Sequence, residues 1–345
     1  MFLFEVRFLA PKGKNREPGL QEKSVRIFTR RRGPKYKIYP VYPGFKFVKE
    51  IIMNPLLAAW LCWAIVGLSP IAGYYAVGVI NPVLLTFLGT LLAVAFFAPW
   101  VTQHKQWGEI FAKQTRWKFL FIGTFGTALP FSVILWAFHY TTPGNAAILQ
   151  QSELIYSLII AAIFLHEIPT KQQLVGSALV LAGVLLILLK EKYTPRWTGD
   201  LMIIACPWMF QAASCVAKKL PPHLHHRTIA AARSIYALPV LSLLLVFLAW
   251  QNGGHFVFKP GVQALWVWLY TGILKYGWAM ILWYQAIRAL DLSKVTAIYL
   301  SYPVLSFALS ILLGLETPHA YQFIGMALTL TGAYWISWLV KKQHV

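Results

Sequence analysis

Glu153 is the one carboxylate that the sequence sets well inside a long apolar run. It lies about ten residues beyond Pro143, where that run begins. At about 1.5 Å per helical residue that is about 15 Å, half the thickness of a hydrocarbon layer. An ionisable group at such a depth is costly, and the usual reason to keep one is that it binds or carries something. The competing reading is a structural pair with a nearby cation. Gln150, Glu153 and Ser157 share one helical face at i, i+3 and i+7. A carboxylate between an amide and a hydroxyl can hold an amine or take up a proton. Lys275 is the matching cation, about 18 Å into its own apolar run. It is the obvious partner if Glu153 is paired. Arg233, about one turn from the start of another run, is expected to snorkel to lipid headgroups.

Other chemistries find little support. The chain has no phosphate-binding loop, no nucleophile elbow and no metalloprotease helix. His223, His225 and His226 cluster, but no carboxylate or cysteine accompanies them in sequence, so no metal site is expected. Cys62, Cys206 and Cys215 all fall in apolar segments without disulfide or ligand spacing. No cofactor is implied.

The elements that must position Glu153 and Lys275 follow from composition. Hydrophobic residues make up 58% of the chain and charged residues 12%, half the usual charge of a soluble domain. Residues 54–102 hold no Lys, Arg, Asp or Glu, and they turn at Asn81-Pro82. Charge-free length predicts ten transmembrane helices near 56–78, 82–102, 118–139, 143–165, 171–189, 200–217, 228–250, 263–287, 293–315 and 320–340. Pro70, Pro130, Pro207, Pro239 and Pro303 interrupt some of them. Such breaks need neighbours or a cavity to satisfy the freed backbone. Of the tryptophans, Trp63, Trp208 and Trp278 lie deepest and are expected to pack.

The net charge of +20 does not point to nucleic acid, because the basic residues sit at helix ends and in short loops. With the N-terminus inside, the inner loops after Met53 hold twelve Lys/Arg and the outer loops four. That bias puts both termini in the cytoplasm. The expected location is a bacterial inner (plasma) membrane. Residues 1–53 carry thirteen Lys/Arg against four Glu and show no helical or strand period. They read as a disordered basic cytoplasmic arm, and Met53 is an equally good start.

The chain also repeats itself. Shifted by 149 residues, Gly123 falls on Gly272, Ala137 on Ala286, Ser152 on Ser301 and Ser157 on Ser306. Glu167, Pro169, Gln173, Gly176 and Gly183 fall on Glu316, Pro318, Gln322, Gly325 and Gly332. Five spans per half is an odd number, so the second half must cross in the opposite sense. This gives an all-α membrane protein of two inverted five-helix repeats, at 54–190 and 199–342, a transporter architecture with its site between the halves. The glycines, seven apart, are expected to pack helices closely. Glu167 and Glu316 are expected to cap or pair at helix ends. The face equivalent to Gln150, Glu153 and Ser157 is Tyr299, Tyr302 and Ser306, and all of these with Lys275 are the candidate binding residues.

Gly144-Asn145-Ala146 through Gln151-Ser152-Glu153, then Phe164-Leu165-His166-Glu167 and the Gln/Gly pattern, resemble the EamA-type domain of the drug/metabolite transporter superfamily. Tyr302-Pro303 to Gly314-Leu315-Glu316 resembles it again. Leu154 replaces the family's proline after Glu153, and Tyr302 replaces its glutamate before Pro303. The resemblance implies a central cavity and export or exchange of a small metabolite across the bilayer. It leaves room for a coupled proton and for a homodimer. The rivals are a carrier of phosphorylated or nucleotide-linked sugars with the same fold, and a membrane enzyme or scaffold. The first wants several midplane cations, of which the sequence offers one.

Overall fold

The computed structural model describes residues 54–344 apart from 77, 138–139, 142, 189–194, 252, 254–255 and 316. The basic arm and Glu316 therefore lie outside the described residues. Nine described helices are long and apolar enough to span a bilayer. We label them in chain order: α1 Pro55–Ala76, α2 Pro82–Gln103, α3 Arg116–Ile134, α4 Ala146–Leu165, α5 Lys171–Leu188, α6 Trp197–Lys218, α7 His226–Gln251, α9 Leu292–Leu312 and α10 Ala320–Lys342. The remaining span, α8, runs continuously over 262–289 as three helical segments. Lys275 and two tyrosines at its centre make it less apolar than the others. The ten expected spans are thus all helical, with ends shifted by a few residues. Asn54 and Asn81 start α1 and α2 by accepting the first free backbone N–H groups, each just ahead of a proline.

Successive spans alternate in direction, so α1 begins on what we call the near face and α6 on the far face. The packing obeys the repeat. Gly123 of α3 lies against the α7 backbone at Tyr236–Ala237, and its twin Gly272 of α8 lies against Leu92 of α2. α5 and α10 cross antiparallel through their glycines. A Cβ on Gly183 would fall 2.5 Å from Gly325 O, and one on Gly332 would fall 2.7 Å from Gly176 O. Adding 149 to one contact gives the other with partners exchanged, as a twofold axis between inverted halves requires.

The helices differ in regularity. α2, α5, α7 and α10 are unbroken, even though Pro99 and Pro239 lie inside α2 and α7. α1 breaks after Gly67, α4 after Gln150, α6 after Ile204 and α9 after Tyr299. α3 and α8 loosen into π-helical turns at Thr124–Ala128 and Tyr270–Trp278. Pro70, Pro130, Pro207 and Pro303 sit at or just beyond these irregularities, whereas Pro239 interrupts nothing. The freed carbonyls find partners. Tyr270 Oη donates to Ile65 O at 2.8 Å, and Ser306 Oγ donates to Gly67 O at 2.6 Å. A buried carbonyl without such a bond would cost about 1–3 kcal/mol.

Candidate functional site

The breaks in α4 and α9 match to within one residue under the 149-residue shift. In α4 the amides of Gln151, Ser152 and Leu154 bond three residues back rather than four. In α9 the amides of Ser301, Tyr302 and Val304 do the same. Each helix is therefore two half-helices meeting at mid-depth. Glu153 opens the second half of α4, and Tyr302 caps the second half of α9.

These breaks open onto a cavity between the repeats, with about 1040 Å³ of space free of protein atoms, its mouth included. The six irregular helices form its wall, and unbroken α7 adds one residue, Arg233. Of the sequence candidates, Gln150, Glu153, Lys275, Tyr299 and Tyr302 line it. Ser157 and Ser306 do not. Ser157 is fully buried and donates to Leu154 O at 2.7 Å. Ser306 is committed to the α1 break and borders a second, smaller cavity that shares Gln151 and Tyr302 with the first.

Glu153 Oε1 accepts from Gln211 Nε2 at 2.7 Å, and Thr296 Oγ1 lies 3.3 Å from Gln211 Oε1 while its one hydrogen also has Leu292 O at 2.9 Å. Gln211 is fully buried, so one carboxylate oxygen is held in place from α6. Lys275 is not its ion-pair partner among the described residues. The ammonium instead lies over the rings of Phe131 and Tyr276, 5.5 and 5.8 Å from their centroids. Tyr299 stands edge-on to Trp283 at 5.1 Å and to Tyr302 at 5.9 Å, giving the cavity an aromatic side.

Arg233 corrects the sequence expectation. It does not snorkel. It is 9% exposed and turns inward, where Nε donates to Thr127 Oγ1 at 2.7 Å and Nη2 to Gly126 O. Its helix starts at His226, so it is two turns in, and its neighbours Ala230, Ala231, Ala232 and Ser234 are all buried. That run of small residues was the signal that this face packs against protein. Gln211 and Trp283 give a weaker signal, since Gln211 has only Ser214 at i+3 beside it and Trp283 is one of four tryptophans in its span. Asp200 is a second carboxylate inside a span boundary. It accepts from Arg196 N at 2.8 Å and from Thr141 Oγ1, fastening the start of α6 on the far face.

The other expectations resolve as structure. Glu167 pairs with Lys218 and accepts from Leu292 N at 2.7 Å, so it ties α4 to α6 and caps α9. Trp208 and Trp278 depart from the expected packing, being 36% and 44% exposed. His223 lies 3.4 Å from Glu109, while His225 packs on Trp100 and His226. The cysteines are free and buried, Cys62 in α1 and Cys206 and Cys215 at two places along α6.

A model of the EamA-like transporter family matches residues 53–189 and again 197–338. The chain belongs to the EamA-like transporter family. It is therefore an integral, multi-pass membrane protein of transporter type. An uncharacterized transporter of Archaeoglobus fulgidus is 26% identical over 275 residues, covering 77% of this chain and 90% of that one. A probable terminal-alkyne amino-acid exporter of Streptantibioticus cattleyicolor is 24% identical, over 59% of this chain and 66% of that one. A probable 4-amino-4-deoxy-L-arabinose-phosphoundecaprenol flippase subunit, ArnF, of Klebsiella pneumoniae is 35% identical over 112 residues, 32% of this chain and 82% of that one. A protein of known crystal structure superposes with a TM-score of 0.69 at 18% identity, over 84% of this chain and 99% of that one. That likeness speaks to fold alone.

Proposed function

We propose that this EamA-like protein is a secondary transporter that exports a small polar or amphipathic, amino-acid-like metabolite by alternating access. The observation that carries the reading is a mid-depth cavity with a carboxylate on one wall, cations on another and aromatic rings between. Glu153 takes the substrate's amine and Lys275 its carboxylate. Gln150, Tyr299 and Tyr302 shape the space between them. Ser157 and Ser306 act on the helix breaks rather than on the substrate. The similarity to a probable amino-acid exporter supports the substrate class. The twelve-to-four excess of Lys/Arg supports a plasma-membrane orientation with both termini in the cytoplasm. Glu153 is the group placed to couple a proton.

The test is a metabolite panel in vesicles holding the full chain, with and without an imposed pH gradient. Accumulation of an amphipathic amino acid above empty vesicles is the expected result. No movement of any panel member in either direction defeats the reading. Arg233 favours one second reading, a phosphorylated-sugar carrier, because it raises the cation count in the cavity to two. Phosphate esters in the same panel decide between them.

A further inference from the structure

Gly126 is the repeat twin of Lys275, which leaves the first half without a cation at the matching place. The structure fills that place from another helix. Arg233 Nη2 donates to Gly126 O, and a Cβ on Gly126 would lie 3.4 Å from Arg233 Nε. The guanidinium thus occupies the space a side chain at 126 would take. We propose that Arg233 and Lys275 form a two-cation site for the anionic group of the substrate, a carboxylate or a phosphate. The inference rests on the transport reading and adds to it a residue and a charge preference.

Both cations gather on the α3 wall. Gly126 and Thr127 hold the guanidinium, and Phe131, little more than one turn further along α3, lies under the ammonium. Neither cation forms an ion pair among the described residues, though both line the cavity. A guanidinium has five N–H donors. Its contacts to Thr127, Gly126, the weakly accepting Met280 sulfur and the Tyr284 hydroxyl leave one of the five uncommitted. Lys275 keeps all three ammonium hydrogens without a hydrogen-bond acceptor among the described residues, and the rings of Phe131 and Tyr276 lie beside it. Two unpaired cations beside one carboxylate make the cavity a place where an anionic group gains and a simple cation is repelled. In a low-dielectric cleft such a bias changes local ion concentration by about tenfold or more. Glu153, across the cavity and steadied by Gln211, leaves room for a zwitterion.

The test reads charge preference without needing the substrate. Met280 borders the cavity and touches Arg233, so Met280→Cys reports on this wall. It is made in the full chain with Cys62, Cys206 and Cys215 replaced by Ala, and studied in detergent where both faces are open. Its rates with anionic sulfonatoethyl methanethiosulfonate and the cationic trimethylammonium analogue are compared with those of a free thiol. The expected result is a normalised anion preference of about tenfold. Lys275→Met should cut that preference several-fold, and Arg233→Lys should keep most of it, which a purely structural arginine would not require. Protection by hexanoate, by inorganic phosphate or by hexylammonium identifies the group taken. Hexanoate alone assigns a carboxylate and phosphate alone assigns a phosphate. Equal protection by hexylammonium, a cation-preferring cysteine, or no reaction with either reagent overturns the site. The vesicle assay is independent of all three outcomes, so the transport reading stands or falls by itself.

Discussion

The α5–α10 crossing and the α4–α9 pair are each mapped onto themselves when the two halves exchange, yet they are built in opposite ways. At α5–α10 the helices are unbroken and the glycines meet backbone to backbone. The two repeats supply the same glycines there, with Thr329 against Gly183 and its twin Val180 against Gly332. At α4–α9 both helices break at mid-depth, and the residues flanking the breaks differ, with Glu153-Leu154 in one and Tyr302-Pro303 in the other. Symmetry is kept where the task is close packing and abandoned where side chains meet the cavity. A contact between two backbones has one geometric solution, and both halves must adopt it. A wall of a binding site gains from having two chemically different sides.

The sharpest break of this comparison is Gly183→Leu. Its Cβ alone would fall 2.5 Å from Gly325 O and from Thr329 N, neither of which can yield. We expect loss of the monodisperse elution peak, a destabilisation beyond about 3 kcal/mol. Gly73→Ala, with nothing within 4 Å, is the control and should leave the melting curve unchanged. A folded Gly183→Leu protein with parent stability would mean the crossing is looser than drawn.

Glu153→Gln probes the other region. The variant amide can still accept from Gln211, so stability should stay within about 1 kcal/mol while vesicle transport falls at least about tenfold. Parent-rate transport with unchanged pH dependence would leave Glu153 a purely structural residue. Lys275→Met should likewise reduce transport without loss of fold. Since no ion pair joins the two, combining it with Glu153→Gln should not restore activity. Recovery in the double variant would show that a pair exists and that the substrate sits elsewhere. The smallest effect is expected for Ser306→Ala, which frees Gly67 O at the α1 break. A cost of about 1–2 kcal/mol in thermal stability, with transport close to the parent, is the outcome to look for.

The sequence made the spans and the crossing legible because both rest on long-range regularities. A charge-free run of about 20 residues has few alternatives, and a 149-residue self-match fixes how the halves relate. The cavity was legible where depth decides and, in part, where a shared face does, since Gln150, Tyr299 and Tyr302 also line it. Glu153 and Lys275 could be placed by counting residues along a helix, whereas Ser157 and Ser306 share the right face but are drawn off by the breaks. A helical wheel assumes an unbroken helix, and α4 and α9 are not unbroken. Arg233 was misplaced for a related reason. Distance from the helix end points to the headgroups, but the small buried residues around it let α3 approach and turn the side chain inward. Gln211 is the one amide in its span, and Ser214, three residues on and lining the cavity, is the spacing signal that marks its face.

The matched breaks in α4 and α9 carry one more consequence. In a perfectly duplicated chain, swapping the conformations of the two halves gives a state of identical energy, so neither would be preferred at rest. Here the swap would put the fixed backbone of Pro303 where Leu154 now sits and the carboxylate of Glu153 where Tyr302 now sits. The two states are therefore not degenerate. Their difference in free energy, and with it the side of the membrane on which the empty protein waits, is written in the few positions where the repeats disagree.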